Sequence, residues 1–388
     1  MSLAPLWQSI RRGVAMMCSR KVYFMMLGVV PLVSIGIFLC LFNAGVVKEV
    51  PSGVVDLDNS SMSRTVTRSL DAIEFVKVTS KLNSYAEAME MMNRGEIFGF
   101  FMIPENFARD AIGGRQPEIS FYCNMTYFVP GTFVFKGFKT IAVATTGSLV
   151  KTTLVSTGVS EAAVGTMIQP VVITEHPIHN PWLNYSYYLN PSFIAAMLQL
   201  IIFVMTGYTI GDEIKKGTSV GWLRTADGSM LVAVIGKLLP QWVVFSVWGL
   251  FLESLMFGYL DFPMHGNIWN MITAMLLFVM ACQAFGVIVM SALPNLRIGA
   301  SVLSLMGILS FSLTGFSFPV ENMYSWLGVF SWIIPVRYYF LIYINDALNG
   351  FPVYYARWFY IGLILFPVAA LPLLYRLKKA CLKPYYIP

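Results

Sequence analysis

Hydrophobic residues along this chain gather into six long runs, which polar segments of very unequal length separate. The first run, residues 22–42, contains no charged residue. A helix rises about 1.5 Å per residue, so a run of this length can cross the hydrocarbon core of a bilayer. Five later runs have a similar character, at residues 193–210, 231–259, 268–293, 298–318 and 358–375. The pattern predicts an α-helical membrane protein with six transmembrane helices.

A long polar insert, residues 43–192, lies between the first and second runs and follows a different pattern. Short β-like runs alternate with segments typical of helices, and Ser84 followed by Glu87 has the spacing of a helix-capping box. Gly95 is placed to end that helix. We predict an inserted α/β domain. Its expected strands are residues 53–56, 75–79, 97–103, 118–123 and 171–174, and its expected helices are residues 62–73, 85–93, 106–112 and segments within 132–167.

The basic residues cluster at the two ends of the chain, beside apolar runs. The composition, 57% hydrophobic and 12% charged with a formal net charge of +6, is typical of a membrane protein. The two clusters are Arg11, Arg12, Arg20 and Lys21, and Arg376, Lys378, Lys379 and Lys383. Because these charges flank apolar runs, we predict contact with membrane lipid and none with nucleic acid.

An even number of spans places both termini on one side of the membrane, and the positive-inside rule assigns that side to the cytoplasm. Residues 1–21 and 376–388 are therefore predicted to be cytoplasmic, and the insert extracytoplasmic. We expect a multi-pass protein of the cell membrane, which is the inner membrane if the organism is Gram-negative.

The remaining five spans form a second predicted domain, residues 193–375. Three prolines break its segment 319–353, and the apolar run within that segment is too short to cross a membrane. We therefore predict an outer re-entrant segment there. A polar elbow, residues 211–230, joins the second and third spans on the cytoplasmic side.

The sequence carries no motif for catalysis or nucleotide binding. Lys216, Gly217 and Thr218 reverse the Gly-Lys-Ser/Thr order of a phosphate-binding loop. Pro177 lies between His176 and His179, which prevents a regular helix from aiming both imidazoles at one ion. The five cysteines are scattered without CxxC spacing. We predict no catalytic residue, no metal site and no cofactor bound by this chain.

The most informative motif begins in the elbow and continues into the third span. Residues 211–240 read GDEIKKGTSVGWLRTADGSMLVAVIGKLLP. This segment resembles the E-x-x-x-G-T … G-K-x-x-P elbow of ABC-2 type permeases, the membrane subunits of ABC exporters. The matching positions are Glu213, Gly217, Thr218, Gly236, Lys237 and Pro240. The resemblance covers nearly the whole chain, since the long-loop branch of that family also has one span, an extracytoplasmic α/β domain and five further spans. The elbow departs from the family in carrying lysine where arginine is frequent.

The resemblance implies a permease that moves a hydrophobic or amphipathic substrate, such as a drug, a lipid or a lipid-linked molecule, out of the cytoplasm or the inner leaflet. It implies an ABC ATPase partner that binds ATP and Mg, a second permease subunit, identical or different, and as one alternative a periplasmic adaptor. The elbow would dock in a groove of the ATPase as a basic helix. The coupling residues expected from this are Glu213, Lys215, Lys216, Gly217, Thr218, Arg224 and Lys237.

Other interpretations stay open at this point. The elbow could be a solvated loop whose charges only set the topology. The chain could also be an extracytoplasmic binding or sensor protein that signals to a separate cytoplasmic partner. A proton-coupled carrier is disfavoured, because the sequence offers no convincing carboxylate or histidine at the middle of the membrane.

Several polar residues fall within the predicted spans. Gln199, Gln241 and Gln283 could each line a substrate pathway or hydrogen-bond a neighbouring helix. Glu253 is acidic and lies far along the third span from Lys237, so we expect it to reach the outer interface by snorkelling. We also expect an outer aromatic belt of Tyr187, Tyr188, Trp326, Trp332, Tyr338, Tyr339, Tyr354 and Tyr355.

Overall fold

The computed structural model describes residues 3–41, 45–113, 115–156, 158, 160, 163–164, 178–180 and 184–383. The chain divides into two compact units. One joins Met1–Gly45 to Pro177–Pro388 and holds the long apolar helices, and the other is Val46–His176 and holds a small sheet. This arrangement confirms the predicted helical membrane protein with an α/β domain inserted after the first span.

Six helices of the described chain are long and apolar enough to cross a membrane, as predicted. These spans are α2, α7, α9, α10, α11 and α14 in the following numbering. In chain order the described helices are α1 (Leu3–Ser19), α2 (Lys21–Leu41), α3 (Ser61–Asp71), α4 (Tyr85–Asn93), α5 (Phe107–Ile112), α6 (Phe128–Ser156), α7 (Tyr185–Lys215), α8 (Ser219–Thr225), α9 (Met230–Tyr259), α10 (Ile268–Ala292), α11 (Leu296–Leu313), α12 (Ser325–Ser331), α13 (Pro335–Leu348) and α14 (Val353–Leu382).

Helix α7 lies at the centre of the membrane unit and packs along α10 and α11. Glycines allow these close approaches: a Cβ atom at Gly207 would lie 2.7 Å from the Leu303 Cδ1 atom, and one at Gly286 would lie 2.7 Å from the Thr206 Cγ2 atom. Small residues at crossings are the usual device of membrane helices, since lipid gives apolar side chains little reason to associate. Spans α7, α9 and α10 are mostly buried, whereas α2, α11 and α14 leave most of their surface exposed.

The proline-broken segment before the last span forms two helices rather than one. Helices α12 and α13 are bent by 83° at a short break, which has the form of a re-entrant loop or a broken span. Pro335 begins α13, a position that suits its fixed φ and missing N–H. The predicted interruption is therefore present in the fold.

The inserted unit is built on a four-stranded sheet with the order β2-β1-β3-β4. The strands are β1 (Val50–Asp56), β2 (Val76–Leu82), β3 (Gly99–Ile103) and β4 (Ser120–Cys123). Strand β1 pairs in parallel with β2 and with β3, and β4 pairs antiparallel with β3. Val55 and Phe100 are fully buried at its core, and Phe138 of α6 packs against Phe101 with ring centroids 5.6 Å apart.

Local signals in the insert behave as the sequence predicts. The Ser84 hydroxyl accepts a hydrogen bond from the Glu87 N–H at 3.2 Å and caps α4. Gly95 follows that helix with a φ of +75°, a conformation that favours glycine. The predicted strand 171–174 lies outside the described residues. Helix α7 begins at Tyr185 rather than at residue 193, because Asn184 caps it ahead of the apolar run by accepting from the Ser186 N–H.

Candidate functional site

The elbow, residues 211–230, contains the end of α7 and the short helix α8. Two left-handed turns bound α8. Gly217 separates α7 from α8 with a φ of +68°, a backbone conformation that favours glycine. After α8, Asp227 and Gly228 take φ values of 52° and 71°, and the Gly228 N–H donates to the Leu223 carbonyl. The turns reverse the chain within a few residues, so that α7 and α9 lie side by side at the elbow.

Glu213 is the centre of this site, and it is fully buried. Its carboxylate accepts hydrogen bonds from Arg12 Nη2 at 3.0 and 2.9 Å and from Lys237 Nζ at 2.5 Å. The Thr218 hydroxyl also donates to Glu213 Oε2. One carboxylate therefore joins the elbow to α1 through Arg12 and to α9 through Lys237.

A second ion cluster lies beside the first. Asp212 pairs with Arg20, which immediately precedes α2, and with Lys216 at 3.0 Å. Its hydrogen bond and charge raise the pKa of Arg20 above the ordinary value. The end of α7 is thus fixed to the residues before the first span.

Trp222 fastens the elbow helix to the membrane helices. Its indole is buried, its Nε1–H donates to the Ala233 carbonyl at 3.1 Å, and its ring lies 4.5 Å from Lys237 Nζ. At the start of α8, the Ser219 hydroxyl donates to the Cys381 carbonyl of α14 at 2.8 Å. The elbow is consequently a packed element with polar anchors rather than a loop surrounded by solvent.

Helix α1 lies directly against α9, where both helices have small residues. A Cβ atom at Gly236 would be 2.4 Å from the Ser9 Cβ atom, and one at Gly13 would be 3.1 Å from the Gly236 carbonyl oxygen. The Ser9 hydroxyl donates to the Ala233 carbonyl at 3.3 Å. This close contact brings Arg12 within reach of Glu213.

The predicted coupling residues divide into a buried and an exposed group. Glu213 and Lys237 are buried, so neither presents its charge at the surface of this chain. Lys215, Lys216 and Arg224 are exposed, and their charges make the solvent-exposed surface of the elbow basic.

Three residues of the site escaped sequence reasoning as members of it, namely Arg12, Arg20 and Trp222. The two arginines belong to a basic leader, and such leaders are explained by topology alone. A signal for them existed: two adjacent acidic residues, Asp212 and Glu213, at a helix end inside a membrane protein require cationic partners.

The three glutamines of the spans make hydrogen bonds between helices. Gln241 Nε2 donates to Thr209 Oγ1 at 3.0 Å, and Gln283 Nε2 donates to the Leu238 carbonyl at 3.2 Å. Gln199 Oε1 accepts from the Val336 N–H at 2.8 Å. Gln283 also lines an open apolar cavity of about 440 Å³ between α9, α10 and α14. The contacts favour the helix-packing interpretation of all three residues.

Glu253 and Tyr339 correct two expectations. Glu253 is 2% exposed and accepts from the Tyr339 hydroxyl at 3.1 Å, so it does not snorkel to an interface. Tyr339 is 1% exposed and belongs to the core instead of an aromatic belt. Both errors arose because position along a helix says nothing about which side of it faces protein.

His179 is the described member of the histidine pair, and His176 lies outside the described residues. The His179 ring lies edge-on to the rings of His265 and Phe351, at centroid distances of 6.1 and 6.3 Å. Its visible role is therefore in packing of the loop residues.

The fold and this site define a multi-pass membrane protein in which a short elbow helix is fixed to several membrane helices. The family model described as "ABC-2 family transporter protein" matches residues 20–376. The chain therefore belongs to the ABC-2 family of transporter proteins.

Curated relatives agree with this class. The chain is 26% identical over 176 residues to the "Probable multidrug ABC transporter permease YbhR" of Escherichia coli K12, and equally to the protein of that name from E. coli O157:H7. The match covers 44% of this chain and 47% of each relative. The chain thus spans about half the length of the curated relatives it matches.

Proposed function

We propose that this chain is the membrane permease subunit of an ATP-driven exporter that moves a hydrophobic or amphipathic substrate out of the cytoplasm or inner leaflet. Both termini and the elbow lie on the cytoplasmic side, and the inserted α/β domain lies outside. ATP and Mg bind to a separate ABC ATPase. A second permease subunit, identical or different, completes the membrane part, and the inserted domain is the part available to an adaptor.

The observation that carries this proposal is the buried Glu213 cluster. An ATPase that docks on the basic, solvent-exposed surface of the elbow would move α8. Thr218, at the start of α8, donates its hydroxyl to Glu213 of α7, and Glu213 holds Arg12 of α1 and Lys237 of α9. That displacement would therefore reach both helices through side-chain contacts. A helix docked in a groove is an economical way to transmit such motion.

The energetics favour motion of the cluster as a unit. Breaking a buried ion pair by removing one partner costs about 3–5 kcal/mol, because the other charge stays buried without compensation. The lowest-energy response to a displaced elbow is therefore to move Arg12 and Lys237 together with Glu213.

The test uses the permease co-purified with its ATPase, with substrate-stimulated ATP hydrolysis and transport into vesicles as readouts. Glu213→Gln is expected to abolish the stimulation, because an amide cannot hold two cations. Glu90→Gln is the matched control, since it also replaces a carboxylate by an amide, but on the exposed surface of α4.

A second variant separates coupling from stability. Glu213→Gln combined with Lys237→Met removes the fully buried pair and leaves Arg12, whose side chain is partly exposed, without its carboxylate. Because no fully buried charge then stays unpaired, assembly should be restored but coupling should not. If this double variant assembles and transports at the wild-type rate, the route through Glu213 is wrong. If the wild-type complex shows neither transport nor stimulated hydrolysis with any amphipathic substrate, the export proposal itself fails.

A further inference from the structure

Helix α9 contains a second buried glutamate whose surroundings differ from those of Glu213. Glu253 receives one hydrogen bond from the described residues, from the Tyr339 hydroxyl to Oε1 at 3.1 Å. Its other oxygen, Oε2, is buried and has no hydrogen-bond partner there. No described lysine, arginine or histidine forms an ion pair with it. An acidic side chain that is buried in a membrane-spanning helix without a cation is costly, and it is a candidate functional residue by default.

A cavity lies beside this carboxylate. Its volume is about 460 Å³, and Glu253, Phe257, Met264 and Ile272 are among the residues that line it. This size is within the range of sites for drug-sized ligands, and a mostly apolar wall with few polar side chains matches their usual construction. Hard metal ions would require several oxygen ligands, so the site does not suit them.

Two aromatic residues lie next to the acidic group or its cavity: Tyr339 donates its hydroxyl to Glu253, and Phe257 lines the cavity. The Tyr339 ring packs on Phe278 with centroids 5.1 Å apart, and Phe257 of the cavity wall lies 6.4 Å from Tyr343. Aromatic faces attract cations, most strongly where water is excluded. A carboxylate beside a cavity with Phe257 in its wall is therefore complementary to an organic cation.

Protonation does not remove the need for a partner. Tyr339 donates to Oε1, so a proton on the carboxyl group would sit on Oε2, where no described acceptor is present. Charged or neutral, Oε2 is left unsatisfied, which is costly for a buried polar atom. A cation bound in the cavity, which Glu253 lines, would place a positive charge beside this carboxylate.

We infer that Glu253 and this cavity form the binding site for the positively charged group of an amphipathic substrate. This inference rests on the proposed transport function and names the chemical class of its substrate. It assigns Glu253 as the contact that distinguishes a cationic substrate from a neutral one of similar shape.

The test measures binding to the purified full-length chain by equilibrium dialysis, with no ATPase and no nucleotide. The probes are tetraphenylphosphonium, a hydrophobic cation, and triphenylphosphine oxide, a neutral aromatic compound. Wild-type protein should bind the cation more tightly. Glu253→Gln should weaken cation binding by about 10- to 100-fold, as expected for loss of a charge-assisted contact, and leave the neutral probe unchanged.

Glu90→Gln is the matched control, because it makes the same change of carboxylate to amide on the exposed surface of α4, away from the cavity. It should leave both affinities unchanged. Unchanged cation affinity in Glu253→Gln, or an equal loss for both probes, would overturn the inference, and so would a wild-type protein that does not prefer the cation. Since the assay needs no partner, such a result leaves the export proposal to its own experiment.

Discussion

At the scale of single residues, Glu213 and Glu253 show two ways of placing a carboxylate inside a membrane protein. Glu213 has two cations and a hydroxyl, and all its partners lie within the chain. Glu253 accepts one hydrogen bond, from the Tyr339 hydroxyl, and its Oε2 atom has no partner among the described residues. The first arrangement suits a fixed joint, and the second suits a group whose partner arrives from outside. Their different roles follow from their neighbours, since the two side chains are chemically identical.

Gly217 offers a residue-scale test of the elbow turn. A Cβ atom at Gly217 would meet nothing within 4 Å, and the same holds for Gly221 of α8, but only Gly217 has a positive φ. Gly217→Val should therefore cost about 1–2 kcal/mol of unfolding free energy, from backbone strain alone. Gly221→Val should be neutral or slightly stabilising, because valine favours a helix more than glycine does.

Denaturant unfolding of the purified chain in mild detergent measures both variants. Equal unfolding midpoints for Gly217→Val and Gly221→Val would show that the left-handed turn is not required at this position.

At the scale of elements, the sequence predicts each feature that depends on local rules. Apolar runs define the spans, and Ser84 and Gly95 define the ends of α4, because capping and backbone preference act over a few residues. The Arg12–Glu213 contact joins positions 201 residues apart, and nothing local encodes it. Burial of Glu253 and Tyr339 likewise depends on helix rotation, which tertiary packing sets. The motif could identify Glu213 and Lys237, but not Arg12 of α1, the second cation that Glu213 binds.

The α1–α9 contact gives an element-scale prediction. Gly236→Val would place a side chain where Ser9 now lies, since even a Cβ atom would be 2.4 Å from the Ser9 Cβ atom. We expect α1 to separate from α9 and Arg12 to lose Glu213. Ser9→Cys provides the reporter, because Ser9 is buried and a thiol there should react slowly with a maleimide.

Adding Gly236→Val should raise the labelling rate of this reporter at least several-fold. Gly28→Val on α2 is the control, because a Cβ atom at Gly28 meets nothing within 4 Å. Equal labelling rates for Ser9→Cys alone, with Gly236→Val and with Gly28→Val would mean that α1 does not need glycine at position 236 in order to pack against α9.

At the scale of the whole molecule, the two units have separate cores and are linked by the first and second spans. Charge, more than shape, distinguishes the two sides of the membrane unit. The exposed Lys215, Lys216 and Arg224 of the elbow carry the same sign as the two terminal clusters. Six spans would place all of these charges on one side, and the positive-inside rule predicts that this side is cytoplasmic.

Orientation is therefore the prediction that belongs to the whole molecule. Single cysteines at Ser61 and Arg115, both exposed in the inserted domain, should react with an impermeant thiol reagent in intact cells when all native cysteines are replaced. A single cysteine at Lys379, exposed near the end of α14, should react only after the membrane is opened.

The reason for this expectation is the parity of the spans. Five crossings separate the insert from the end of α14, and an odd number of crossings places the two on opposite sides of the membrane. The bent pair α12 and α13 decides the result, because counting it as a further crossing would bring Lys379 to the same side as the insert. Labelling of Lys379→Cys from outside, in the same cells that label Ser61→Cys, would establish a seventh span and contradict the re-entrant assignment, whereas protection of Lys379→Cys until permeabilisation supports six spans with both termini inside.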